Sequence, residues 1–172
     1  MPSFAPAWRR YLLSCGLLLL PILLFDAALF DRLPPAISDA SSWDAIPPAL
    51  ALAERVLRVP VFLLPFLMSL RMSTARQRAG AVLTVLGMLV YFASWMGLIA
   101  APESGWSLSA AGFLAPAYTP ALWLLGIALL GEEFCWGRPC PPWLYGSLST
   151  AFLLVHVAHA AIVYAHNAPA AS

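Results

Sequence analysis

Lysine is absent from this sequence, and all nine basic residues are arginine. Acidic and basic side chains together make up 10% of its 172 residues, against roughly 25% in a soluble domain. A water-facing surface cannot be assembled from so few charges. The net charge is +1 and the arginines are scattered, so no basic block exists to hold nucleic acid. Cysteine is scarce as well: only Cys15, Cys135 and Cys140 occur, and a structural zinc site wants four ligands. In a reducing cytoplasm Cys135 and Cys140 are expected to stay thiols, and Cys15 reads as core. All three histidines fall in one apolar run near the C-terminus, which argues against a haem held by histidines from two helices. Alternating polar and apolar residues, the mark of a half-buried strand, are missing, and so are internal repeats and low-complexity tracts. The arginine-only bias points to a GC-rich, bacterial genome.

What the sequence does have is apolar length. Hydrophobic residues make up 62% of the chain, and the mean hydropathy is +0.82. Five runs approach or exceed the roughly 20 residues that a helix needs to cross hydrocarbon: residues 11–30, 48–70, 79–101, 113–131 and 143–165. The expectation is an all-α integral membrane bundle of five transmembrane helices, one domain over residues 1–172, in a bacterial inner membrane. Arg9 and Arg10 before the first run resemble the start of a secretory leader. That run is long and ends without a small-x-small cleavage site, so it is expected to remain as a span.

The arginines orient the bundle. With the N-terminus inside, Arg9, Arg10, Arg71, Arg76, Arg78 and Arg138 share the inner side, and only Arg32 lies in an outer connection. This asymmetry predicts an inner N-terminus and an outer C-terminus. Trp8, Tyr11, Trp136, Trp143 and Tyr145 then fall near the inner interface, and Trp43, Trp106, Tyr118 and Tyr164 near the outer one. Prolines 21, 60, 65, 116 and 120 sit inside the spans and predict bends. Ala93, Gly97 and Ala101 at four-residue spacing predict a close-packed helix face.

The second run is unusual because it carries Glu54, Arg55 and Arg58. Charges in hydrocarbon cost at least a few kcal/mol and are paired or functional. Glu54 and Arg58 form an i,i+4 pair with the acid first, the favourable order, at depths of about 9 and 15 Å from the start of the run. His156 and His159 of the fifth run fall about 9 to 14 Å from its outer end. Together with His166 they occupy an arc of about 80°, shared by Ser149, Phe152 and Val163. Asp26, near the end of the first run, lies in the same half of the membrane. Arg55 points about 100° away from Glu54 and is placed to snorkel toward head groups.

These residues predict an outer-leaflet polar pocket of Asp26, Glu54, Arg55, Arg58, His156, His159 and His166, suited to a lipid head group, a proton or a metal. His156 and His159 at i,i+3 can ligate a metal, completed by Asp26 or Glu54. No cofactor is specified, and the reading leans away from an enzyme toward an accessory or binding protein. The alternatives are a membrane-embedded enzyme acting on a lipid or using a metal, and a structural subunit whose charges dock a partner membrane helix or a second copy.

A second cluster, Glu132, Glu133 and Arg138 with Phe152 and His156, resembles the Glu-Glu-x3-Arg and Phe-x3-His signatures of membrane-embedded CAAX-type proteases. The arginine stands one residue too far along, the segment is a Gly/Pro loop, and no His-x3-Asn/Asp motif follows. On these departures the protease reading is set aside.

Overall fold

The computed structural model describes residue 11, residues 13–34 and residues 45–167. Trp8, Arg9, Arg10 and Trp43, which contribute to the expected orientation, lie outside them. The fold is all-α, and no regular strand occurs among the described residues. Among the described residues five helices have ten residues or more: α1 Leu20–Leu29, α2 Pro48–Leu63, α3 Ala75–Ala100, α4 Pro120–Leu130 and α5 Pro142–Asn167. Of these, α3 and α5 are long and apolar enough to cross a membrane; each has 26 residues.

The other three expected spans are composite, and proline is the main cause. α1 carries Pro21 in its first turn and is flanked by 3-10 turns at Cys15–Leu19 and Phe30–Arg32. α2 passes through Pro60 but gives way at Leu63 to a 3-10 turn, Leu64–Leu67, with Pro65 at its start. Pro65 has no N–H to offer the carbonyl of Val61 one helical turn earlier. The buried Tyr145 hydroxyl donates to that carbonyl instead, at 3.1 Å. Tyr145 is therefore a core residue, 0% exposed, rather than an interfacial one. Tyr11, Trp106, Tyr118, Trp136 and Trp143 are exposed aromatics. Before α4 the chain makes three four-residue helical turns, Gly105–Leu108, Ala110–Phe113 and Ala115–Tyr118. Pro116 and Pro120 each fall in the first turn of a new segment, where a missing N–H is harmless.

α3 begins at Ala75, ahead of the expected 79. Thr74 Oγ1 accepts from the Gln77 N–H at 3.1 Å, and Gln77 Oε1 accepts from the Thr74 N–H at 3.1 Å, a complete capping box. The closest helix packing joins α3 to α4. A Cβ placed on Gly126 would lie 2.3 Å from Thr84 Oγ1, and one on Gly87 would lie 2.4 Å from the Trp123 amide nitrogen. The expected face at Ala93, Gly97 and Ala101 is not the packed one. Ala93 and Ala101 are exposed, and a Cβ on Gly97 would meet only Trp106 Nε1, at 3.9 Å. That stripe lies roughly 100° round α3 from Gly80, Thr84 and Gly87.

α5 packs on α2 and α4, and the core at their junction includes Val61, Trp123, Leu124, Ile127 and Tyr145. α1 joins through Phe25, whose ring stacks on Phe92 at 4.2 Å. Leu52, Val56, Val59 and Leu63 of α2 form a stripe more than half exposed, as do Val82, Val85, Leu86 and Leu89 of α3.

At the arginine-rich end three non-helical segments pair as a clasp. Ser14 bridges Ser69, Met68 bridges Phe134, and Glu133 bridges Pro139, all antiparallel. The amides of Cys15, Ser69, Leu70 and Cys135 each donate across the segments at 2.8 Å, to Met68, Glu133, Leu13 and Leu67 respectively. In an environment poor in water these bonds are the only way to satisfy non-helical backbone.

Candidate functional site

Glu54 sits in the second turn of α2, on the side that faces α5, and is 3% exposed. An uncompensated carboxylate at that burial would be costly, and three partners compensate it. Arg58, one turn further along α2, pairs with Oε1. His156 Nδ1 on α5 donates to the same oxygen at 2.9 Å. His159 Nδ1, one turn beyond, contacts Oε2. Both carboxylate oxygens are thus engaged, and the two histidines are held by one acid from a neighbouring helix.

The imidazole of His156 is also supported from below. It stacks on Phe152, with centroids 5.2 Å apart and 12° between planes, and Phe62 meets Phe152 edge-on at 6.4 Å. An Nδ1–H given to Glu54 fixes the tautomer, so that in neutral His156 the Nε2 is an acceptor. Arg58 is more exposed, with 53% of its side chain accessible, and keeps guanidinium donors beyond the one it gives Glu54.

The cluster forms one pole of a cleft of about 770 Å³ between α1, α2, α4 and α5, with Tyr91 and Trp95 of α3 at its floor. Most of its lining is apolar: Ile22, Leu23, Leu63 and Val163 alternate with aromatic rings. Asp26 lines it from α1 and accepts a hydrogen bond from the Tyr91 hydroxyl at 2.7 Å.

Of the seven residues expected in one pocket, five line this cleft: Asp26, Glu54, Arg58, His156 and His159. Asp26 is answered by Tyr91 rather than by the Glu54 cluster. Arg55 is exposed on another face of α2, and His166 is exposed in the last turn of α5; neither lines the cleft. The expected histidine face otherwise turns inward, with Ser149, Phe152, His159 and Val163 all buried. As a metal site the set has the wrong form. The Nδ1 atoms of His156 and His159 are directed at Glu54, and no group of three His, Cys, Asp or Glu among the described residues is arranged to hold a metal ion.

Tyr91, Phe62 and Trp123 are not singled out by the sequence; Phe152 is, on the histidine face, but without its aromatic partners. Tyr91 carried a signal, a phenol in the middle of an apolar run, but its partner is 65 residues away. The Trp123 indole N–H is buried and has no hydrogen-bond partner among the described residues.

The acidic loop has a different task. Glu132 pairs with Arg76 at 2.6 Å and accepts from Gln77 Nε2 at 3.2 Å, and Glu133 pairs with Arg71. These bonds tie the clasp to the start of α3. Cys15, Cys135 and Cys140 are buried thiols at this end, and burial holds the Cys140 thiol above its ordinary value. His156 lies 14 residues along α5 from Pro142, roughly 21 Å from this end, so Glu132 and Glu133 do not share a site with it.

Comparison with protein-family models, with curated proteins and with solved structures finds no match for this chain.

Proposed function

We propose that this chain is a multi-pass protein of a bacterial inner membrane that binds a long-chain amphiphile in the cleft beneath Glu54. In this reading the five apolar segments cross the bilayer with the N-terminus inside and the C-terminus outside. The two continuous helices, the exposed apolar stripes of α2 and α3 and the bias of arginines toward the clasp end all support it. Composite spans are compatible with a bilayer when their irregular backbone is satisfied by protein, as the clasp and Tyr145 do here.

The observation that carries the binding reading is the pairing of one buried polar cluster with one apolar cleft. Glu54, Arg58, His156 and His159 form a head-group site at the wall of a space that suits the head and first part of the tail of an amphiphile. Docking of a partner helix is less well supported, because Glu54, Arg58 and both histidines are engaged with one another inside the chain. Native mass spectrometry of the protein released from detergent tests the binding reading. One retained amphiphile is expected, and Ala160→Trp, which fills the cleft from α5, should abolish it. Retention of the same molecule by the folded A160W protein would overturn the assignment of the cleft.

A further inference from the structure

The amphiphile site just proposed has features that narrow its ligand, and the inference below rests on that reading. Charge comes first. The cleft is lined by two carboxylates, Asp26 and Glu54, and one guanidinium, Arg58. With neutral histidines it carries no net positive charge, and the one arginine is already paired to Glu54. Phosphate recognition wants an excess of positive charge, and two carboxylates against one guanidinium leave this lining net negative, so a phospholipid head group is poorly matched. A neutral head with hydrogen-bonding oxygens fits better.

Shape comes second. Nine of the 25 lining residues are aromatic, three times their 12% share of the whole chain. Phe62 links Trp123 and Phe152 through edge contacts at 6.4 Å each, and Phe152 carries His156. This continuous aromatic wall suits a flat ring better than a saturated acyl chain.

The third observation is independent of both. Trp123 lines the cleft and is 2% exposed. Its indole N–H has no partner among the described residues. A buried donor without a partner is rare and calls for an acceptor. A neutral, flat head with an oxygen at each end answers all three observations at once.

We infer that the cleft binds a long-chain para-quinone or its quinol. The ring lies on the wall of Phe62, Trp123 and Phe152, and one ring oxygen accepts from the Trp123 N–H. The other oxygen meets Arg58 and the free nitrogen of His156, which can donate or accept as the ring is quinone or quinol. The tail runs along Ile22, Leu23, Leu63 and Phe66. The inference concerns binding alone, and the ring is neither oxidised nor reduced in it.

The test uses the full chain in nanodiscs of phosphatidylcholine. The protein is titrated with decylubiquinone, bound quinone is read by its ultraviolet absorbance after gel filtration, and bound native lipid is identified by solvent extraction and mass spectrometry. The expected result is saturable binding near one per chain. Trp123→Phe, which keeps the ring and removes the N–H, should weaken it roughly tenfold, and His156→Ala should weaken it comparably. Val85→Ala, on the exposed face of α3, should leave it unchanged. Wild-type affinity in a folded W123F protein would overturn the assignment of that donor and with it the quinone pose. A protein that retains one phospholipid, displaced by A160W, and ignores decylubiquinone would overturn the quinone inference and leave the amphiphile reading standing. A protein that retains neither would overturn both.

Discussion

Replacing Glu54 by glutamine tests whether this carboxylate is the hub that joins α2 to α5. The side chain keeps its size, so no cavity opens and the change is electrostatic. In the native arrangement Oε1 receives Arg58 and His156, and Oε2 faces His159. Glutamine keeps one acceptor oxygen and presents an NH₂ where the other stood, so one histidine Nδ1–H then faces a donor. Hydrogen bonds to a charged group contribute about 1.5–3 kcal/mol each, and breaking a buried ion pair costs about 3–5 kcal/mol. Two effects reduce the loss here. Arg58 is more than half exposed and can find water or lipid phosphate, and the neutral amide has no charge to desolvate. A loss of about 2 kcal/mol results, near the lower end of those ranges. The assay is reversible unfolding in mixed dodecylmaltoside and sodium dodecyl sulfate micelles, followed by tryptophan fluorescence. A cycle with His156→Ala should show coupling of about 1 kcal/mol. An E54Q protein as stable as its parent, with additive effects in the cycle, would refute the hub.

Four further outcomes follow from the packing. Tyr145→Phe deprives the Val61 carbonyl of its donor and should cost about 1–3 kcal/mol in the same unfolding assay. Gly126→Ala should cost about 1–3 kcal/mol by driving α3 and α4 apart, because its Cβ would sit 2.6 Å from the Thr84 backbone nitrogen, whereas Gly97→Ala should be near neutral. Cys15, Cys135 and Cys140 should react with iodoacetamide far more slowly in the folded protein than in dodecyl sulfate, because all three are buried and the Cys140 thiol is held protonated; equal labelling rates would contradict the clasp. Single-cysteine reporters in a cysteine-free background should be labelled from the cytoplasm at Arg78→Cys and from the opposite side at Asn167→Cys, and the reverse pattern would overturn the proposed orientation.

The parts of this fold that could be read from sequence are those set by local period. Helical phase placed Phe152, His156, His159 and Val163 on one inward face, and i,i+4 spacing placed Arg58 on Glu54. That Glu54 would reach His156 depends on how α2 lies against α5, a contact over 102 residues that no local pattern encodes. The same holds for Asp26 and Tyr91. Helix ends were misjudged for different reasons. Hydropathy continues through Pro65, Pro116 and Pro120, so it reports apolar length and not helix length. The start of α3 was legible in Thr74–Gln77, but the arginines around it read as a loop. The clasp gave no signal, because Ser14, Met68 and Ser69 are embedded in runs apolar enough to pass as helix, and Glu133, Phe134 and Pro139 lie in what reads as a Gly/Pro loop.

The clasp also constrains how this chain can assemble. Its bridges join Ser14 to Ser69 and Met68 to Phe134, so it closes loops of long sequence separation, which carry an entropic cost before any contact rewards them. The segment around Phe134 emerges only after α1 through α4 have been synthesised. Until then the carbonyl of Leu67 and the amide of Ser69 lack their partners, the Cys135 amide and the Glu133 carbonyl. In the proposed topology, insertion of the first four helices therefore precedes closure. On the cytoplasmic side of the proposed topology the loop between α4 and α5 acts as a latch over the paired ends of α1 and α2. A ribosome stalled before Glu132 should hold a chain in which Ser14 and Ser69 can already pair, while the Leu67 carbonyl and the Ser69 amide still lack their partners.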